Sequence, residues 1–169
     1  AHGYREVGQE YLQNVLDTAK QLDAYDSGRI YYYLGEYQKA YLALDEARDK
    51  GGADSYLYLG RAYAATGDYN YASSVYNNYL SKQGPNAEIY NELGLCEMAK
   101  KEYQNALAAF QAGKQIEGNS LMQTLCFNEI VAYEYLEDYQ QAEVLMNAYL
   151  QNYPDDQTAI REQQFLSTR

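Results

Sequence analysis

A tyrosine, an alanine three residues on and a large apolar residue seven on recur down this chain. The copies are Tyr37/Ala40/Leu44, Tyr69/Ala72/Tyr76, Tyr103/Ala106/Phe110 and Tyr139/Ala142/Met146, with a weaker one at Tyr4/Val7/Tyr11. The opening tyrosines stand 33, 32, 34 and 36 residues apart. A fixed period near 34 implies an array of helical hairpins, because one hairpin cannot bury its apolar face alone and must stack on a neighbour. The cleanest copy is Tyr56–Leu80, where two helical stretches meet at Thr66-Gly67-Asp68.

Punctuation between the copies sets expected boundaries. Residues 1–20 form a half repeat or an N-terminal capping helix, with Val7, Tyr11, Leu12, Val15, Leu16 and Ala19 on one face. Repeats follow at 21–52, 53–86, 87–122 and 123–154, and residues 155–169 carry a C-terminal capping helix with Ala159, Ile160 and Phe165 on its apolar side. Together these make one domain, 1–169. Gly35 makes the first turn and Gly51-Gly52 close the first repeat, where a left-handed residue is needed. Asp68 is expected to cap its helix, Pro85 to sit in a first helical turn, and Ser120 with Gln123 to form a capping box. Gly60 marks a place where two helices approach closely.

Composition narrows the functional classes. A formal charge of −11 argues against non-specific binding to nucleic acid or anionic membranes, both of which need a basic face. It favours basic or neutral partners, or simply keeps the surface soluble. No apolar run reaches the ~20 residues of a membrane span. The aromatic residues are skewed to 22 tyrosines against three phenylalanines and no tryptophan; tyrosine suits a surface that is part core and part wet groove. Cys96 and Cys126 lack metal-ligand or redox spacing and are expected as buried free thiols. The single histidine, His2, lies at the terminus, which removes most metal sites and all histidine-activated nucleophiles. Ser73-Ser74 and Asp155-Asp156 have no catalytic company and read as solvated positions. We therefore expect no enzyme, no cofactor and no metal.

In motif, the chain resembles the tetratricopeptide repeat family. Tyr56, Leu59-Gly60, Tyr63, Gly67-Asp68-Tyr69, Ala72 and Tyr76 match its pattern closely, and Tyr90, Leu93-Gly94, Tyr103, Ala106 and Phe110 match in the next repeat. The first repeat keeps Gly28, Tyr31, Gly35-Glu36-Tyr37 and Ala40 but has Ala24 and Ser27 where large residues are usual. Glu97 and Lys101 replace a tyrosine and the turn glycine in the third repeat. In the fourth, Cys126, Glu129 and Ile130 stand at the large, Leu and Gly positions; either the first-helix register shifts there or Glu129 faces a partly buried site, and we expect a register or packing adjustment. The resemblance implies an all-α fold, an α-α superhelix (solenoid) of about four hairpins with N- and C-terminal capping helices.

It also implies a concave groove lined by first helices, suited to an extended or helical peptide. By position, that groove receives Tyr25, Asp26, Arg29, Tyr32 and Tyr33, then Leu57, Tyr58 and Arg61, then Asn91, Glu92, Leu95 and Met98, and finally Phe127, Asn128, Val131, Glu134 and Tyr135. The ligand-facing candidates are Tyr25, Arg29, Tyr32, Leu57, Tyr58, Arg61, Asn91, Leu95, Asn128 and Tyr135. Arg29 and Arg61 occupy equivalent positions and would hold a partner's carboxylate, or else neutralise Asp26 and nearby acids. The Lys/Asn clamp with which one sub-family binds chaperone C-termini is not intact here.

The expected function is a non-enzymatic protein–protein interaction scaffold. A carbohydrate-binding module using the groove tyrosines, and a self-associating, homo-oligomeric component of a cell-envelope assembly, are the alternatives. An enzyme would need clustered titratable groups, and only Glu92, Glu134 and Arg61 come near. The mid-repeat start and the composition are compatible with a bacterial cell-envelope or extracytoplasmic protein whose leader lies outside this chain.

Overall fold

The computed structural model describes residues 2–19 and 21–169, and only the backbone of residues 2–5. The side chains of His2 and Tyr4, which opens the weakest copy of the signature, therefore lie outside the described residues. Among the described residues there are ten helices and no strand: α1 (His2–Thr18), α2 (Ala24–Leu34), α3 (Tyr37–Asp49), α4 (Ser55–Ala65), α5 (Tyr69–Gln83), α6 (Ala87–Ala99), α7 (Tyr103–Lys114), α8 (Met122–Tyr135), α9 (Tyr139–Asn152) and α10 (Gln157–Leu166). This is an all-α repeat fold of stacked helical hairpins.

Each signature tyrosine from Tyr37 onward is the first residue of its helix, and the preceding turn explains why. Gly35, Gly67, Lys101 and Glu137 take φ of 79°, 85°, 64° and 61°, a left-handed kink two residues before each tyrosine. The kink lets the next amide reach back to close the preceding helix: Glu36 N to Tyr31 O, Asp68 N to Tyr63 O, Glu102 N to Glu97 O and Asp138 N to Tyr133 O, all at 2.9–3.0 Å. Lys101 thus performs the expected glycine's turn with a side chain attached. Asp68 caps as expected, its carboxylate accepting from Tyr71 N at 3.1 Å.

Two boundary expectations are corrected. Pro85 precedes the helix: Asn86 is the cap of α6 and accepts from the amides of Glu88 and Ile89. Ser120 forms no capping box, because α8 starts at Met122 after Leu121, which offers no side-chain cap. Asn119 organises that turn instead, donating to Ile116 O at 2.6 Å and accepting from Leu121 N.

The chain divides into two compact units, residues 1–83 and 84–169. In the first, α3 packs against both α2 and α4, around Ala40, Leu44, Tyr56, Leu59, Ala62 and Val75. Helix α1 packs on α2. Its expected apolar face is only partly covered: Leu12, Val15 and Leu16 are half-buried, whereas Val7 and Tyr11 are 66% and 67% exposed.

In the second unit one core gathers around Phe110 and Leu125, and another around Ile130, Met146, Tyr149, Ala159 and Leu166. On α10 the buried residues are Ala159 and Leu166, not the expected Phe165. That ring is exposed and lies under the Arg169 guanidinium, whose carbon is 4.5 Å from its centroid.

The close approach expected at Gly60 is present. A Cβ there would collide with the Tyr76 ring, one at Gly94 with Phe110 and one at Gly28 with Leu44. Each partner is the large residue of the signature, and Tyr76, Phe110 and Leu44 are fully buried. Burying one such side chain contributes about 1.5–3 kcal/mol.

In the fourth hairpin the same two positions hold Ile130 and Met146, both buried in one core. A flexible thioether chain replaces the ring and leaves room for the isoleucine. Helix α8 therefore keeps its register, and the expected shift is not seen. Glu129 is instead buried at 5% exposure, ion-paired with Lys114 and accepting from Gln111 Nε2 at 2.9 Å.

Candidate peptide-binding site

In the first unit, α2 and α4 lie side by side. Helical spacing brings Tyr25, Arg29, Tyr32 and Tyr33 of α2 onto Tyr58 and Arg61 of α4. Tyr58 is the hub. Its ring centroid is 6.1 Å from Tyr25, 5.7 Å from Tyr32 and 5.9 Å from Tyr33, each edge-to-face. The guanidinium carbons of Arg29 and Arg61 lie over its ring at 5.0 and 5.7 Å, and Arg29 also lies over Tyr25 at 5.2 Å. The Tyr33 and Tyr58 hydroxyls are 3.2 Å apart and share a hydrogen bond.

The electrostatics favour keeping the cations. Burial works against the Arg29 charge, but the Tyr58 and Tyr25 hydroxyls outweigh it and hold its pKa above the usual arginine value. Burial raises the Tyr25 phenol against the pull of Arg29, and the Tyr33 phenol is raised first by its hydrogen bond to Tyr58. Arg29 meets Asp26 only at 3.8 Å, with both side chains well exposed, a pairing worth little. Its Nε is buried and has no hydrogen-bond partner. Neutralisation of Asp26 therefore does not use up this guanidinium. Leu57 is half-buried on α4 beside the cluster.

The candidates of the second unit are placed less uniformly. Asn91 is buried, and its Oδ1 accepts from Asn128 Nδ2 at 2.9 Å, so these two are tied to each other. Leu95 is 43% exposed on α6. Tyr135 is 58% exposed, and its ring stacks on Tyr103 at 5.0 Å.

Glu134 sits near Glu162 of α10, and its carboxyl is pushed up to about 7, chiefly by burial and then by that second carboxylate. Both cysteines are free. Burial lifts Cys96 to about 12; Cys126 is half-buried rather than buried, and its thiol is raised for the same reason.

Of the positions read as solvated, one is buried and another is half-buried and structural. Ser73 is buried on α5. Asp156 caps α10, its Oδ1 accepting from the Thr158 and Ala159 amides, while its Oδ2 accepts from the Tyr149 hydroxyl at 2.6 Å and from Gln123 Nε2 at 3.4 Å. An aspartate just ahead of an amphipathic stretch was the available signal for the cap. Nothing in the pattern announced Gln123 or Tyr149.

The tetratricopeptide repeat family pattern matches residues 25–70 and 59–119, more than half of the chain. The chain belongs to the tetratricopeptide repeat family. A comparison with curated proteins returned no match. Several solved structures are similar to this tetratricopeptide repeat chain. TTC0263, a thermophilic protein of this family from Thermus thermophilus, matches with a TM-score of 0.74 at 16% identity, covering 100% of this chain and 93% of its own. MamA from AMB-1 matches at 0.69 and 21% identity, covering 95% and 81%. The second such domain of human RPAP3, in complex with the HSP70 peptide SGPTIEEVD, matches at 0.58 and 16% identity, covering 65% of this chain and 90% of that one. At these identities the likeness concerns the fold.

Proposed function

We propose that this chain is a non-enzymatic interaction scaffold, and that the face shared by α2 and α4 holds a segment of a partner protein by a carboxylate. The observation that carries this reading is the pair of guanidinium groups, Arg29 and Arg61, gathered over the Tyr58 ring, with Arg29 meeting Asp26 at 3.8 Å. Guanidinium groups braced on aromatic rings lose little freedom when they close on a carboxylate, and the bond formed is charge-assisted. The peptide seen with the RPAP3 domain supports the class of ligand, since a related fold holds an acidic segment there. A sugar-stacking role for Tyr58 fits less well, because guanidinium groups already lie over its ring.

The test is titration of a fluorescent peptide ending in two acidic residues into the wild type and into an Arg29→Glu/Arg61→Glu variant of unchanged circular dichroism. Wild-type binding should weaken with salt, and the variant should bind roughly tenfold or more weakly. Equal affinity for both proteins would remove the α2/α4 face from the binding site.

A further inference from the structure

We propose that the pocket walled by α8, the start of α10 and Tyr149 of α9 is a binding site for an arginine side chain of a partner segment. The inference rests on the scaffold reading above and adds a second, oppositely charged recognition point, contained wholly in residues 84–169.

The pocket holds about 300 Å³. Gln123, Thr124, Phe127 and Asn128 line it from two successive turns of α8, and Asp156 and Thr158 close it at the start of α10. Its hydrogen-bonding capacity is lopsided. The Gln123 amide nitrogen donates to the Tyr149 hydroxyl at 3.1 Å and to Asp156 at 3.4 Å, and the Asn128 amide nitrogen donates to Asn91. Both Gln123 donors and one of the two on Asn128 are thus committed within the protein. The lining also carries the carbonyl oxygens of both amides and two threonine hydroxyls, and the Asp156 carboxylate, already accepting from Thr158, Ala159, Tyr149 and Gln123, adds its negative charge. A ligand that brings donors and positive charge complements this lining.

Three further features select the cation. The Tyr149 hydroxyl and the α10 amides hold Asp156 below the usual carboxylate range, so it stays ionised. Phe127, braced edge-to-face on Tyr149 at 5.8 Å, offers an aromatic wall, and a ring attracts a guanidinium more effectively than it does a neutral polar group. The surrounding unit carries five basic against thirteen acidic residues, a formal −8 of the chain's −11. A planar group with five donors and no acceptor reaches several of these oxygens at once, where an ammonium reaches fewer. An acidic or C-terminal group would meet Asp156 as a like charge.

The experiment is a titration of the whole chain with N-acetyl-arginine methylamide, followed by NMR on the side-chain NH₂ signals of Gln123 and Asn128. Its neutral isostere, N-acetyl-citrulline methylamide, is the control. We expect saturable shifts with the arginine compound and at least about tenfold weaker binding of the citrulline compound. In Asp156→Asn, which keeps a competent helix cap, arginine binding should fall by a similar factor. Equal affinity for the two compounds, absence of a saturable shift, or undiminished binding in Asp156→Asn would each overturn the proposal. The arginine–citrulline comparison needs no variant and stands whether or not acidic peptides bind at Arg29 and Arg61. Loss of one site therefore does not mimic loss of the other.

Discussion

Glu129 and Glu134 stand five residues apart on α8 and are held in opposite ways. Glu129 is buried with its charge answered by Lys114 and its oxygen by Gln111. Glu134 faces a second carboxylate, Glu162, and its Oε1 is buried without a hydrogen-bond partner. Its folded-state pKa, about 7, lies above the ordinary 4.5. Between those values the folded chain holds a proton that the unfolded chain has released, so stability falls as pH rises through this window. Glu134→Gln should then stabilise the chain by about 1 kcal/mol above pH 7.5, once the shift is discounted for partial exposure, and should change little at pH 4. Thermal melts of both proteins at the two pH values decide it; an equal gain at both would show that the carboxyl's charge is not the cause. Sequence marked Glu129 as an anomaly but could not show its partners, because Lys114 and Gln111 come from the preceding helix and only packing brings them across. The position of Tyr58 was equally legible, whereas its role as hub of three tyrosines and two guanidinium groups depends on how α2 and α4 meet.

At the scale of elements, the four hairpin turns share one backbone conformation and two kinds of residue. Gly35 and Gly67 adopt the left-handed region without cost from a side chain; Lys101 and Glu137 adopt it against the clash of their Cβ atoms. Replacing either Lys101 or Glu137 with glycine should raise stability by about 0.5–1 kcal/mol. Urea denaturation checks this through a higher midpoint at unchanged slope, and a lower midpoint would mean that the lost side chain contributed more than the relieved strain. The helix start after Asp68 was legible, because an acid preceded a periodic stretch. Helix starts were misread at Pro85 and Ser120, where proline and serine also suit the ordinary loop positions they occupy. Phe165 was placed with Ala159 and Ile160 on the apolar side of the last helix, yet a rotation of roughly 100° per residue makes Leu166, the next residue along, the one that joins the core of α9.

Across the whole molecule, the repeat period revealed the fold class because a stack of hairpins writes the same requirement into the chain every 34 or so residues. The grouping into residues 1–83 and 84–169 left no such trace, since the signature runs unchanged on both sides. Residues 84–169 contain two apolar cores of their own, and a chain cut to that span should give a helical spectrum and a cooperative melt. A non-cooperative, sloping transition would show that its cores need the preceding helices.

The glycine facing each signature side chain makes the two positions a single heritable variable. At 60 and 76, or 94 and 110, neither residue is free to drift while the other stays. The isoleucine and methionine of the fourth hairpin are a second pairing that fits. Each hairpin thus carries both halves of its own fit, and a change in one half calls for an answering change in the other.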